Sequence, residues 1–181
     1  GTGGIASPAI GAYGLKLANV AIPLTLEGSS LKSVNGTLDF YGGKVTNSFS
    51  VDLDSMKFSN TLNANDFDVN AVAQDASGGM GGKITGKGVL SLKIDGSAAK
   101  DLTYSGSGQF SMGEGGISGF SGLDLLTKLY GLNAIRYTKV VAPLQLQMNK
   151  LILVKGGTAT APVNDPIYKY VKLAENGTVT F

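Results

Sequence analysis

The chain has 181 residues, 43% of them hydrophobic, and a formal net charge of +2; this length suits one domain, residues 1–181 taken together, and leaves little room for two. Of its fifteen basic residues only Arg136 is an arginine, which speaks against a nucleic-acid surface, where guanidinium groups supply bidentate contacts and stacking. Cys, His and Trp are absent, so there is no disulfide framework, no thiolate chemistry and no imidazole to serve as general base or metal ligand.

The remaining composition, with 27 glycines and only 15% charged residues, fits turn-rich β structure of a secreted or envelope protein. In chain order, Val20, Ile22, Leu24 and Leu26 form the first alternating run, and Pro23 inside it requires a sheet edge or a bulge because it lacks a ladder donor. Val34, Leu38 and Phe40 follow, then the turn Gly42-Gly43. Val45, Phe49, Val51 and Leu53 alternate with Lys44, Thr46, Ser48, Ser50 and Asp52; Met56, Phe58, Leu62 and Ala64 alternate with Lys57, Ser59, Thr61 and Asn63. A two-residue period places such residues on opposite faces of a strand.

Asp66 to Asp75 predicts one or two helical turns capping a sheet, and Gly78 to Gly82 a flexible hairpin or linker. The clearest alternation runs from Lys83 to Asp95, with Ile84, Gly86, Gly88, Leu90, Leu92 and Ile94 on one side. After a turn over Gly96 to Lys100, a second run from Leu102 to Met112 sets Leu102, Tyr104, Gly106, Gly108, Phe110 and Met112 against Thr103, Ser105, Ser107, Gln109 and Ser111. Phe120, Leu123, Leu126 and Leu129 or Tyr130 recur at helical spacing, with Ser121 as N-cap, Asp124 in the first turn and Gly131 as the stop. Leu144, Leu146 and Met148 return to alternation, Leu151 to Val154 closes on Gly156-Gly157, and Thr178 to Phe181 forms the last strand.

The predicted fold is mainly β: a long curved antiparallel sheet, a groove or half-barrel, with one or two short helices. An eleven-residue strand extends about 36 Å, and paired glycines on the apolar side permit sharp coiling or close approach to the backbone. With so little helix to cover it, the apolar face reads as a hydrophobic groove lined by Ile84, Leu90, Leu92, Ile94, Phe110 and Met112. The competing expectation is a structural or protein-binding β-domain of a larger assembly, with its core closed and its sheet edges used for binding.

Chemistry-bearing motifs are weak. Asp66, Asp68, Asn70 and Asp75 have the look of a calcium loop, but Ala71 stands where the turn glycine is needed and Ser77 where the bidentate acid is needed. Asp52 and Asp54 read as surface charge, and Gly78 to Gly82 lacks the Gly-Lys-Ser/Thr of a phosphate loop. The expectation is therefore of no catalytic residues, no metal and no cofactor.

The order of features resembles the C-terminal region of the AsmA family, relatives of TamB-type envelope proteins. The resemblance runs through Asn35-Gly-Thr-Leu-Asp-Phe-Tyr-Gly-Gly, Ser50-Val-Asp-Leu-Asp, Asp66-Phe-Asp-Val and Gly86-Lys-Gly-Val-Leu-Ser-Leu-Lys-Ile-Asp-Gly. It continues through Leu102 to Met112, Gly116-Ile-Ser-Gly-Phe-Ser-Gly-Leu-Asp-Leu-Leu, Lys150-Leu-Ile-Leu-Val-Lys-Gly-Gly-Thr-Ala and Asn176-Gly-Thr-Val-Thr-Phe, covering most of residues 30 to 181. It implies a periplasmic domain of a Gram-negative-type envelope, held at the inner membrane by a segment outside this sequence. Phospholipid or another acyl lipid, and other envelope proteins, are the partners it implies, and outer-membrane assembly with phospholipid transport the role.

Overall fold

The computed structural model describes residues 1–12, 14–77, 79, 82–148, 150–165 and 178–180. The chain opens with five long strands, β1 (Thr2–Ala12), β2 (Leu15–Glu27), β3 (Ser30–Phe40), β4 (Gly43–Asp52) and β5 (Lys57–Asp68). An insertion of α1 (Val69–Ser77) and β6 (Lys83–Thr85) separates β5 from the hairpin β7 (Lys87–Ser97) and β8 (Thr103–Met112). A second insertion, β9 (Gly115–Ser118), α2 (Ser121–Leu129) and β10 (Ile135–Tyr137), precedes β11 (Lys139–Gln147), β12 (Lys150–Leu153), β13 (Thr158–Thr160) and β14 (Thr178–Thr180).

The long strands form one eleven-stranded antiparallel sheet in the order β1-β2-β3-β4-β5-β7-β8-β11-β12-β14, with β13 also on β11. This sheet is open, since β1 pairs only with β2. The inserted strands make a separate small sheet, β10-β9-β6. Both insertions leave and re-enter the large sheet at the same end, after Asp68 and Met112 and before Lys87 and Lys139. That end is capped. The opposite end carries the connections from Glu27 to Ser30, Asp52 to Lys57 and Ser97 to Thr103.

Strand β1 has no counterpart in the sequence reading, because its small residues, Thr-Gly-Gly-Ile-Ala-Ser-Pro-Ala-Ile-Gly-Ala, show no apolar period. Its pairing phase is fixed by Gly1 and Leu26, which exchange two backbone hydrogen bonds of 2.7 Å. Alternation of inward and outward pairs from there turns Pro8 to the free edge, where its missing N–H costs no ladder bond. Pro23 lies within the register irregularity between Ala21 and Thr25, so the expectation of a bulge holds.

Three further irregularities fall at Asn19, Asn35 and Asp66, with φ of +49°, +56° and +58°. Each sits at a register shift, between Ala18 and Ala21, Ser33 and Gly36, and Ala64 and Phe67. Asn and Asp are the non-glycine residues that enter this left-handed region most readily. Each bulge moves the alternation by one residue and so keeps apolar side chains on one face. In β3 that face carries Leu31 and Ser33 before the bulge and Gly36, Leu38 and Phe40 after it. Val34, expected among the apolar positions, is left 64% exposed.

The segment Lys83 to Asp95 is not one strand. Gly86 adopts φ +139°, a conformation closed to side-chain-bearing residues, and the chain breaks there into β6 and β7. Leu102 falls outside β8 and is exposed, as are Leu53 and Met56 in the turn between β4 and β5. That turn is organised by Asp52, whose Oδ1 accepts from Ser55 N at 2.7 Å, Ser55 Oγ at 2.8 Å and Asp54 N at 3.1 Å.

The short acidic segment does become a helix. Asp68 Oδ1 accepts from Ala71 N at 3.0 Å and caps α1, as an N-cap aspartate does. In α2 the N-cap is Phe120 rather than Ser121, and it makes no side-chain capping bond. Asp124 reaches back to accept from Gly119 N at 2.9 Å, and Gly131 ends the helix at φ +66°. Of the loop expected over Gly78 to Gly82, residues 78, 80 and 81 lie outside the described residues, as does Phe181 of the last strand.

Candidate functional site

Registration of the strands assembles one apolar face from many short alternations. One row runs Ile5, Ile22, Gly36, Asn47, Leu62, Leu92, Gly108, Leu144 and Leu153 across nine strands. The next row toward the capped end reads Val20, Leu38, Val45, Ala64, Leu90, Phe110 and Ala142; the next toward the other end reads Leu24, Ser33, Phe49, Asn60, Ile94, Gly106 and Leu146. Eight inter-strand spacings of about 4.8 Å make such a face about 38 Å wide.

Along β7 and β8 this face is consistently less exposed than the other, although β1 and β14 do not meet to close it. A sheet curved toward its apolar side produces this asymmetry. The glycines of the face are part of the curvature: a Cβ on Gly108 would lie 2.2 Å from Ser91 O, and one on Gly106 2.4 Å from Lys93 O. Rings of neighbouring strands lie over two more, Phe58 on Gly96 and Phe67 on Gly88, the device by which aromatic residues shield a strand glycine.

At the capped end the face is a packed core. Val45, Ala64 and Phe67 are buried, with Leu38, Phe40, Tyr41, Val69, Val72, Leu90 and Phe110 packed on them. Phe67 meets Phe40 with ring centroids 5.4 Å apart and Phe110 at 6.2 Å. Helix α1 is pinned over this end by Asp75, which accepts from Tyr41 Oη at 2.7 Å and pairs with Lys16 Nζ at 2.9 Å. Hydrogen bonds from Lys16 and Tyr41 hold the Asp75 carboxyl below the usual carboxylate range, while burial, helped by Asp75, raises the Tyr41 hydroxyl. In the small sheet, Tyr137 is buried and donates to Thr85 O, and its burial raises its hydroxyl as well.

Toward the other end the same face stays partly open. Leu92 and Ile94 are half-buried, and Leu26 is exposed at the rim. Electrostatically this face is uniform. Among the described residues of the large sheet, register places the charged side chains on the opposite face, where Lys44 pairs with Asp39 and Lys32 with Glu27, apart from Asp66 at its bulge and Lys16, which reaches Asp75 of α1 at the packed end. Bonds from Lys44 and Asn19 lower the Asp39 carboxyl there.

Of the six residues expected to line a groove, five come together: Leu90, Leu92 and Ile94 of β7 with Phe110 and Met112 of β8. Leu90 lies opposite Phe110, and Gly88 opposite Met112. Ile84 does not join them, because the break at Gly86 carries it into β6, paired with Ile117 of the small sheet. The acidic positions separate into structural tasks: Asp66 at a bulge, Asp68 at a helix cap, Asp75 in the α1 anchor. No cluster of three or more metal-ligating side chains occurs among the described residues.

The sequence reading passed over two positions, Asn47 between Val45 and Phe49, and Asn60 between Phe58 and Leu62. Both share the parity of the apolar set, and a polar residue in phase with apolar ones is the signal that identifies them. In the structure Asn47 Nδ2 donates to Asn60 Oδ1 at 2.6 Å across the face. Ser33, also on it, is 2% exposed, and its Oγ has no hydrogen-bond partner among the described residues. Comparison of the chain with protein-family models, characterised proteins and solved structures finds no match.

Proposed function

We propose that this chain is a non-catalytic, lipid-handling domain of the bacterial envelope, related to AsmA-type proteins. Its working surface is the apolar trough of the large sheet between the packed end and the open rim. One observation supports this reading: among the described residues, regular strand pairing puts no charged side chain on a face spanning nine strands, and a helix covers that face at one end only. Each acyl methylene buried against such a surface contributes about 0.8 kcal/mol, so roughly ten give on the order of 8 kcal/mol before ordering costs, which is ample for retention. Residence in the periplasm, attachment to the inner membrane and a part in outer-membrane assembly and phospholipid transport belong to the same proposal and rest on the family resemblance.

The test is native mass spectrometry of the purified protein, followed by titration of delipidated protein with a fluorescent acyl probe. Wild type should carry or take up acyl lipid. Leu92→Asp, which puts a carboxylate in the middle of the trough, should lower probe uptake at least tenfold while the protein stays folded by circular dichroism. Absence of uptake by the wild type, or unfolding of Leu92→Asp, would show the face to be an ordinary sealed core.

A second reading, a protein-binding β-domain, draws support from β1. It is an eleven-residue edge strand without a single charged residue, and charge is the usual protection of such an edge. Pro8 interrupts its outward donors, which leaves Thr2 to Ala6 as the stretch on which a partner strand would add.

A further inference from the structure

Among the described residues, β1 is the long strand of the large sheet with a neighbour on one side only. Its ladder to β2 starts from the hydrogen-bonded pair of Gly1 and Leu26, and in an antiparallel ladder such pairs alternate with unbonded ones. Gly3 and Ile5 therefore direct their amides and carbonyls at Leu24 and Ile22, whereas Thr2, Gly4 and Ala6 turn theirs outward. Pro8, next in the outward series, has no N–H to offer. Side chains follow the same parity. Ile5 stands on the apolar face beside Ile22 and is 50% exposed at the end of its row. A Cβ on Gly3, also on that face, would meet nothing within 4 Å, so the place beside Ile5 is vacant.

We propose that the free edge of β1 takes the β1 strand of a second copy of this chain, antiparallel about a two-fold axis through Gly4. The inference rests on the reading that β1 accepts a strand, gives that strand an identity, and is independent of lipid handling. Outward groups can meet only outward groups. With the axis at Gly4, Thr2 faces Ala6 of the copy, Gly4 faces Gly4 and Ala6 faces Thr2, two main-chain hydrogen bonds to each facing pair. An axis nearer Ala6 sets Pro8 against Thr2 or Gly4, where a donor is missing; one nearer Thr2 leaves a facing pair fewer. The axis is perpendicular to the sheet, so both copies present the apolar face on the same side. Ile5 then lies across from Gly3 of the copy in an unbonded pair, where side chains come closest, and each isoleucine covers the other copy's vacant glycine. A symmetric joint also sets like residues near like, and charge there would repel itself; β1 carries none. A foreign strand would use the same backbone groups, but only a copy matches the spacing of Ile5 and Gly3 about Gly4 by symmetry. The apolar face runs on across the joint from one copy into the other.

The joint engages about seven residues a side, against the 20–30 of a standard interface, so the dimer should be weak, with a dissociation constant between about 1 and 100 μM. Sedimentation velocity from about 1 to 300 μM should show monomer passing into dimer. Ala6→Pro removes the outward amide without touching the ladder to β2; two joint bonds are lost, and at about fivefold a bond the dimer should weaken at least tenfold. The chain has no cysteine, so register can be read by mixing Thr2→Cys with Ala6→Cys under oxidation, since residues of a bonded pair stand about 5.5 Å apart, within disulfide reach. The mixture should crosslink and neither variant alone should. A wild type that stays monomeric, a dimer indifferent to Ala6→Pro, or Ala6→Cys that crosslinks to itself as readily as in the mixture would each overturn the inference. The wild-type and cysteine results decide the matter even where Ala6→Pro fails to fold. Amide exchange at Gly4 and Ala6, followed by NMR, keeps the two readings apart. Slowing by an added Thr-Val-Thr-Val-Thr-Val peptide but not by raised protein concentration would remove self-pairing alone; slowing by neither would remove the strand-accepting reading with it.

Discussion

Phe58 and Phe67 lie on one strand and one face, and each covers a glycine of the neighbouring strand. Phe67 is 5% exposed, held among Phe40 and Phe110 beneath α1, whereas Phe58 is half-buried at the end where only turns occur. The strands at both ends obey the same alternation, so the strand sequence does not make the difference. It comes from the two insertions, which leave the sheet at one end and place a helix and a small sheet there. A packed end anchors the fold and an unpacked end leaves apolar surface free, and the proposed function needs both.

The sharpest way to break this comparison is to truncate both rings. Phe67→Ala should cost about 3–5 kcal/mol, the usual range for a large ring removed from a closed core. Phe58→Ala should cost about 1 kcal/mol, since part of its surface is wet already. Urea unfolding of the two variants measures both; near-equal losses would mean that the open end is as sealed as the other. A smaller effect is expected at the helix that does the covering. Asp68→Ala removes the N-cap of α1 and should cost about 1 kcal/mol, and hydrogen exchange should show the loss concentrated in residues 69–77. Uniform loss of protection across the sheet would mean that α1 is not a separable cover.

How far the sequence disclosed this arrangement follows from what alternation can report. Where residues repeat with a period of two, as in Leu90, Leu92 and Ile94 or Val45, Phe49 and Val51, strand and face are legible, and so is the scarcity of helix. Alternation says nothing about backbone conformation at a glycine, so it ran straight through Gly86 and placed Ile84 on a strand it does not share with Leu92. It also cannot count through a bulge, so it sets Val34 in phase with Leu38 and Phe40 although Asn35 shifts the alternation. β1 was invisible because Ala, Gly and Ser carry too little contrast between faces. The crossovers that close one end depend on strand order, and neither composition nor period contains that. The in-phase Asn47 and Asn60 are legible in the sequence as polar members of an apolar alternation.

The smallest expected effect concerns the anchor that holds α1 to the sheet, and pH separates it from packing. Asp75 is held by Lys16 and Tyr41, and those bonds lower its carboxyl from the ordinary 3.8. A group depressed in the folded state contributes stability above its unfolded value and loses it as pH falls through the folded one. The same bond raises Lys16 above its ordinary 10.5, and that contribution is present at lower pH and lost as pH rises through the raised value. Wild type should therefore melt above Asp75→Asn by a small, constant margin across the neutral range. The margin should shrink below pH 3.8 and again above 10.5. Its size stays small because the Lys16 side chain is 77% exposed, and solvent and salt screen such pairs. Asp39, lowered chiefly by its bond from Lys44 on the opposite face, titrates in the same acid window in both proteins and cancels in the difference. Thermal melts of the pair at low and high salt supply the measurement, and a margin that does not change with pH would assign the anchoring of α1 to Val69 and Val72 alone.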